Sequence, residues 1–214
     1  MPSKNIFESD IHLPPKVCIL SPGPNGRPHY GDIPDDCCVI AVSKAVLIPE
    51  VQADIWVMNH ADQDWFEAAN AAFEGMRVFR DEAVLEAQAV LGEELSCYSF
   101  EALRGPLGLV IFKPVDRVIR SGGSVSGCAL QFAYNFGARE ILLCGVDMSG
   151  DSYWDGTVNV QPQHGETWNV VKYLNPLIRW MIEERGIRIA TLSPTRLAVA
   201  FYPSTPKRGI NQEA

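Results

Sequence analysis

The sequence predicts a doubly wound α/β domain: a mostly parallel sheet with helices on both faces, a Rossmann-like three-layer sandwich whose ligand sits at the carboxyl ends of the strands. Three observations predict it. Short apolar runs ending in Gly, Pro, Ser or Asn recur along the chain. Amphipathic helical stretches lie between them. Strands alternating with helices of that length need crossover connections, and crossovers give parallel pairing.

The apolar runs, in order, are VCILSPG from Val17, CVIAVS from Cys38, DIWVMN from Asp54, GLVIFKP from Gly108, EILLCGVD from Glu140 and IRIATLSP from Ile187. Each reads as a strand buried on both faces. MRVFR from Met76 is shorter and more charged, which suits a sheet edge. Between Ser124 and Phe136, the residues Val125, Ala129, Phe132, Ala133 and Phe136 share one helical face. A second helix starts near Glu166, places Val171, Leu174, Ile178, Met181 and Ile182 on one face and stops at Gly186. A third starts at Asp64, where Asp64 and Glu67 have the spacing of a capping box, and a fourth covers Asp81 to Leu91.

Length and composition bound the reading. A chain of 214 residues buries a substantial core and fits one domain, with its core at about 16–200 and flexible ends. The net charge of -8 provides no basic surface for nucleic acid or an anionic membrane. No apolar stretch reaches membrane-spanning length, and the first residues lack a charged start followed by an apolar run, so a cytoplasmic location is expected. The six cysteines form no CxxC pair and have no His at zinc-ligand spacing; they read as reduced core residues, with a reactive Cys37–Cys38 pair as the alternative.

Four segments carry candidate chemistry. SPGPNGRPHYGD, from Ser21, follows the first strand, and Gly23 and Gly26 let backbone amides approach a phosphate or ribose, although an ordinary Pro-Gly turn has the same composition. It has neither the GxGxxG nor the P-loop spacing. MNHADQDWF gathers Asn59, His60, Asp62 and Asp64 at a strand end, where Asp62 and Asp64 could hold Mg²⁺ beside a nucleotide or hydroxyl groups; Asp64 could equally just cap its helix. Mg²⁺ is the one candidate cofactor. Ser121, Gly122, Gly123 and Ser124 open the clearest helix, so amides and hydroxyls, including that of Ser126, gather at a positive helix end suited to anions. Asp147 ends a strand and is followed by Tyr153, Trp154 and Asp155 in a polar loop; His164 lies further on, and the segment 148–170 is long enough to form a lid or acceptor site. Asp147 and His164 are the catalytic candidates, His being the commonest general acid or base near neutral pH.

The run GGSVSGCALQFAYNFGAREILLCGVDMSG combines Gly-Ser-Val, a small-residue helix, Phe-Gly-Ala, a strand and Gly-Val-Asp. In this it resembles the bacterial CMP-sialic-acid-using sialyltransferases, and it is similar to motility accessory factor and 6-hydroxymethylpterin diphosphokinase-like proteins. SPGPN, AVSKAVL and LIRWMIEERGIRIATLSPTRL resemble further pieces of the same superfamily in the same order, so the resemblance spans most of Val17 to Leu197. It implies that Gly23, Pro24 and Asn25 contact nucleotide, that Ser121 to Ser124 meet phosphate or ribose, that Asp147 borders the pocket and that His164 is the base. Two departures stand out: SPGPN lacks the family's usual Asn and Ser arrangement, and Ser43, a further nucleotide-binding candidate, stands where Asn is common.

Three functions are compatible with this reading. One is a glycosyltransferase with a CMP-type nucleotide-sugar donor and a small-molecule or glycan acceptor. The second is a Mg²⁺-dependent diphosphokinase using ATP, with Asp62 and Asp64 on the metal. The third is a catalytically silent nucleotide-binding or interaction protein on the same scaffold. A homo-oligomer is compatible with the apolar helix faces.

Overall fold

Nine strands, all paired in parallel, form one sheet in the computed structural model, which describes residues 3–61, 64–92, 95–101, 119, 124–148, 152–157 and 173–203. They are β1 (Lys4–Asn5), β2 (Lys16–Leu20), β3 (Cys38–Val42), β4 (Ile55–Met58), β5 (Met76–Arg80), β6 (Tyr98–Phe100), β7 (Glu140–Cys144), β8 (Arg188–Thr191) and β9 (Ala200–Phe201). The helices are α1 (Phe66–Ala72), α2 (Asp81–Leu91), α3 (Val125–Asn135) and α4 (Asn175–Arg185), joined by 3₁₀ turns at Pro24–Asp32 and Ser43–Leu47.

The strand order is β1-β6-β5-β4-β3-β2-β7-β8-β9. From β2 the chain steps outward through β3, β4, β5 and β6, then returns to lay β7 along the other side of β2. The direction of winding therefore reverses between β2 and β7, and a crevice at such a reversal is where doubly wound folds bind ligands.

Alternating side chains distribute the core to two faces, as the period-2 strand geometry requires. On one face Val17, Ile19, Ile40, Val42, Ile55, Val57, Ile141 and Leu143 pack with α3 and α4. On the other, Cys18, Leu20, Val39, Ala41, Leu142 and Cys144 pack with Tyr30, Ala45 and Ile48. Further along that second face Trp56, Met58 and Phe79 meet α1 and α2, with the Trp56 ring 5.0 Å from Phe79 and 5.7 Å from Phe66.

Five expected strands and the helices at 81–91 and 124–136 are present; the strand expected at 108–114 lies outside the described residues. Three expectations are corrected. MRVFR is an interior strand between β4 and β6, and the donors of its first arginine are satisfied locally: Arg77 donates to Asn70 O at 2.8 Å, Phe73 O at 2.6 Å and Asn70 Oδ1 at 2.8 Å. The helix after β4 begins at Phe66 without a side-chain cap, and Asp64 and Glu67 are exposed rather than boxed. Trp65, the residue before that helix, lies 6.4 Å from Trp56, ring centre to ring centre, with the rings tilted by 45°. Ile182 is 39% exposed, because α4 meets the sheet through Leu174, Leu177, Ile178 and Met181. The sheet also contains β1, β6 and β9, strands of two or three residues too short to announce themselves as apolar runs.

Candidate functional site

The loops after β2 and β7 meet at the reversal point and are bonded together. Ser21 N donates to Cys144 O at 2.8 Å and Gly23 N to Gly145 O at 3.0 Å, extending the ladder beyond the strands. Asn25 N then donates to Asp147 Oδ2 at 2.7 Å. Glycine is needed for this contact: a Cβ on Gly23 would lie 2.3 Å from Gly145 O and 2.6 Å from Asp147 Oδ2. Gly145, at φ +70, has the same requirement, since its Cβ would lie 2.3 Å from Ser21 O. The loop expected to let backbone approach a ligand thus first lets backbone approach backbone, leaving the Asn25 side chain exposed at its tip.

Asp147 is 3% exposed, and its Oδ1 has no hydrogen-bond partner. Burial pushes its carboxyl up to about 6, and the Asn25 amide holds it back. A buried carboxyl without a cation favours its neutral form. Behind it Met148 adopts φ 56, and Arg196 N and Thr195 Oγ1 close the loop on Asp147 O and Val146 O.

On the α3 face, the core-facing rows of β2, β4 and β5 end in Ser21, Asn59 and Arg80. Ser21 follows Ile19 and bonds Ser126 of α3, Oγ to Oγ, at 3.0 Å. Asn59 follows Val57; its amide hydrogen-bonds the Cys128 thiol of α3, and its Oδ1 is buried without a partner. Arg80 ends β5 and is paired with Glu82, and its charge also reaches Cys128. Ser124 is the N-cap of α3 but makes no side-chain capping bond. The Ser124 side chain thus leaves the first amides of α3 uncapped, an arrangement that suits an anion.

Above β3, Ser43 adopts φ 50 and its carbonyl accepts from Trp56 Nε1 at 2.9 Å. Lys44 reaches the 152–157 turn, where Tyr153, Trp154 and Asp155 lie. Trp154 N donates to Pro22 O at 2.8 Å, which lays the turn across the end of β2, and the Trp154 indole N–H is buried and unpartnered.

The structure therefore brings together Gly23, Pro24, Asn25 and Asp147, and places Ser43, Ser124, Tyr153, Trp154 and Asp155 at the carboxyl edge of the same strands. Ser121, Gly122, Gly123, Asp62 and His164 lie outside the described residues. Of the cluster expected to hold Mg²⁺, Asp62 lies outside the described residues, Asn59 points under α3, His60 pairs with Glu86 at 3.3 Å on the other face, and Asp64 is exposed. Among the described residues no three His, Cys, Asp or Glu side chains stand close enough to hold a metal. Sequence reasoning passed over Ser21, Tyr30, Lys44 and Arg80. For Ser21 and Arg80 a signal existed: each occupies the next core-facing position after an apolar alternation, Val17–Ile19 and Met76–Val78.

No family model matches this chain, and no curated protein matches it by sequence. Solved structures do share its fold. The sialyltransferase CstII from Campylobacter jejuni, in complex with the substrate analogue CMP-3FNeuAc, superposes with a TM-score of 0.54 at 14% identity over 89% of this chain and 87% of that one. CstII with a trisaccharide acceptor and CMP gives 0.52 at 11% identity over 89% and 88%. The MAf glycosyltransferase from Magnetospirillum magneticum AMB-1 gives 0.63 at 15% identity over 97% of this chain, which spans 36% of that protein. At these identities the likeness establishes a common α/β fold, one also used by glycosyltransferases. No described helix is long and apolar enough to cross a membrane.

Proposed function

We propose that this chain is a nucleotide-sugar-dependent glycosyltransferase that holds a CMP-type donor in the crevice between the β2 and β7 loops. One observation carries the reading. Six buried side-chain polar atoms among the described residues lack a hydrogen bond, and three of them belong to Asn59, Asp147 and Trp154 at the carboxyl edge, with a fourth on Tyr30 just behind the β2 loop. Each such atom costs about 1–3 kcal/mol. A ligand rich in hydroxyl and amine groups would satisfy them, and the open α3 terminus beside them suits its phosphate. The solved structures of CstII with CMP and CMP-3FNeuAc, on the same fold, support a cytidine nucleotide.

In this reading His164 takes the proton from an acceptor hydroxyl as that oxygen bonds the anomeric carbon of the donor sugar. The bond from that carbon to the phosphate oxygen breaks, and CMP leaves with the electron pair, its charge met by amides of Gly122, Gly123 and the Ser124 helix end. Gly23, Pro24, Asn25 and Ser43 line the nucleotide, and Asp147 fixes the Asn25 loop and offers Oδ1 to a donor group. Tyr153, Trp154 and Asp155 form a lid at the mouth of the nucleotide crevice, with the acceptor entering beside it. Nothing among the described residues favours the diphosphokinase reading.

The test is a thermal-shift panel of CMP, CDP, UDP, GDP, ADP and ATP, each with and without Mg²⁺, since a ligand of the folded state raises apparent stability. A metal-independent shift with CMP supports the proposal, and His164→Ala should keep that shift while losing turnover. A shift with ATP that needs Mg²⁺ would replace it with the diphosphokinase. Silence throughout would leave a scaffold without nucleotide chemistry.

A further inference from the structure

The 152–157 turn is closed by its own bonds: Tyr153 N to Thr157 O at 2.9 Å, Gly156 N to Tyr153 O at 2.9 Å, and Asp155 Oδ1 accepting from Thr157 N at 3.0 Å and Thr157 Oγ1 at 2.7 Å. These make a turn but do not aim it. Two contacts tie it to the sheet edge: the Trp154 bond to Pro22 and a lysine from the far side of the crevice.

Lys44 Nζ donates to Asp155 Oδ2 at 2.6 Å and to Thr157 Oγ1 at 2.9 Å, and lies 5.3 Å from the centre of the Tyr153 ring. Its side chain is only 12% exposed. A lysine usually keeps its ammonium in water and its rotamers free, so three simultaneous partners are a costly arrangement to hold without a role. The anchor behind it is rigid. Lys44 follows Ser43, whose left-handed backbone is secured by the indole of Trp56, a fully buried residue of β4. Burial opposes the charge on Asp155, but the bonds from Lys44 and Thr157 outweigh it and hold that carboxyl at about 2.

We infer that Lys44 is a positioning residue: anchored through Ser43 and Trp56, it fixes the 152–157 turn so that Tyr153 and Trp154 stand ready at the mouth of the crevice, and thereby sets nucleotide affinity. The inference rests on the proposed site only for its second half. A turn ordered beforehand spares the ligand the entropy of ordering it.

The experiment follows residue-resolved amide exchange and CMP titration in Lys44→Met, Lys44→Arg and the unaltered protein. Lys44→Met keeps the aliphatic stem and removes the donor. Exchange of the Trp154 amide should accelerate about tenfold or more while the Ile19 and Leu143 amides of β2 and β7 are unmoved, and CMP should bind about tenfold more weakly. Lys44→Arg should restore both to within about threefold, which a simple packing role would not predict. An unchanged Trp154 amide in Lys44→Met, or equal acceleration at Ile19 and Leu143, overturns the inference. If the unaltered protein binds no CMP, the nucleotide reading fails, and the exchange data alone decide the role of Lys44.

Discussion

The amide of Asn25 and the carboxylate of Asp147 are bonded at 2.7 Å across the point where the sheet reverses direction. That bond uses one oxygen of a buried acid and leaves the other bare. The same residue therefore organises the loop and exposes an unmet acceptor to whatever enters beside it.

Asp147 should make stability fall as pH rises through the acidic range. Its folded pKa, about 6, lies above the ordinary 3.8, so the fold favours the protonated form. The contribution is complete below about pH 4, declines between about 4 and 6, and is absent above; the gap corresponds to roughly 3 kcal/mol. Asp147→Asn keeps an acceptor for Asn25 and cannot ionise. Urea midpoints at pH 4.5 and 7.5 should therefore converge in this variant relative to the parent, and an unchanged difference between the two would count against the assignment.

Gly145→Ala should cost about 2–4 kcal/mol, combining a left-handed backbone with a Cβ driven into Ser21 O. Gly92 offers the control. It caps α2 at φ +68 with open space around it, so Gly92→Ala should cost only about 1 kcal/mol. Equal losses in thermal denaturation would show that the β2–β7 glycine contact is looser than described.

Asn59→Ala should separate stability from binding. Truncation removes the bond to the Cys128 thiol but also the cost of a buried oxygen without a partner, and the two offset, so the melting temperature should move by only a few degrees, about 1 kcal/mol or less. CMP affinity, measured by calorimetry, should fall about tenfold or more. A variant that melts much earlier yet binds normally would make Asn59 a packing residue.

All six cysteines are free, and burial is the leading cause that raises the thiols of Cys37 and Cys97 to about 11 and those of Cys38, Cys128 and Cys144 to about 12. Thiolates are the reactive species, so a disulfide reagent at pH 7.5 should titrate them slowly in the native protein and completely in denaturant. Rapid labelling of Cys37 or Cys38 in the native state would reinstate them as reactive groups.

Strands buried on both faces were legible because they must be apolar throughout, as β2, β3, β4 and β7 are. β5 was misplaced because Arg77 and Arg80 look solvent-facing until their partners, the Asn70 and Phe73 carbonyls at the end of α1 and the Glu82 carboxylate, are seen. Within the site, Asp147 was visible as an acid ending a strand, and Gly23 as a glycine ending another. That the two abut was not, since spacing along a chain says nothing about which strand ends become neighbours. The Lys44–Asp155 pair and the backbone of Ser43 were hidden for the same reason.

The reversal between β2 and β7 also imposes an order on the birth of the fold. β2 pairs with β3 close by in sequence, but its other ladder waits for β7, about 120 positions later. At ribosomal rates of about 5–20 residues per second, that edge stays open for on the order of ten seconds. Four of its five residues are ones the finished protein buries. During this interval the nascent chain presents a sticky, unpaired strand, so its yield in a cell should depend on what shields that strand as well as on how stable the completed sheet is.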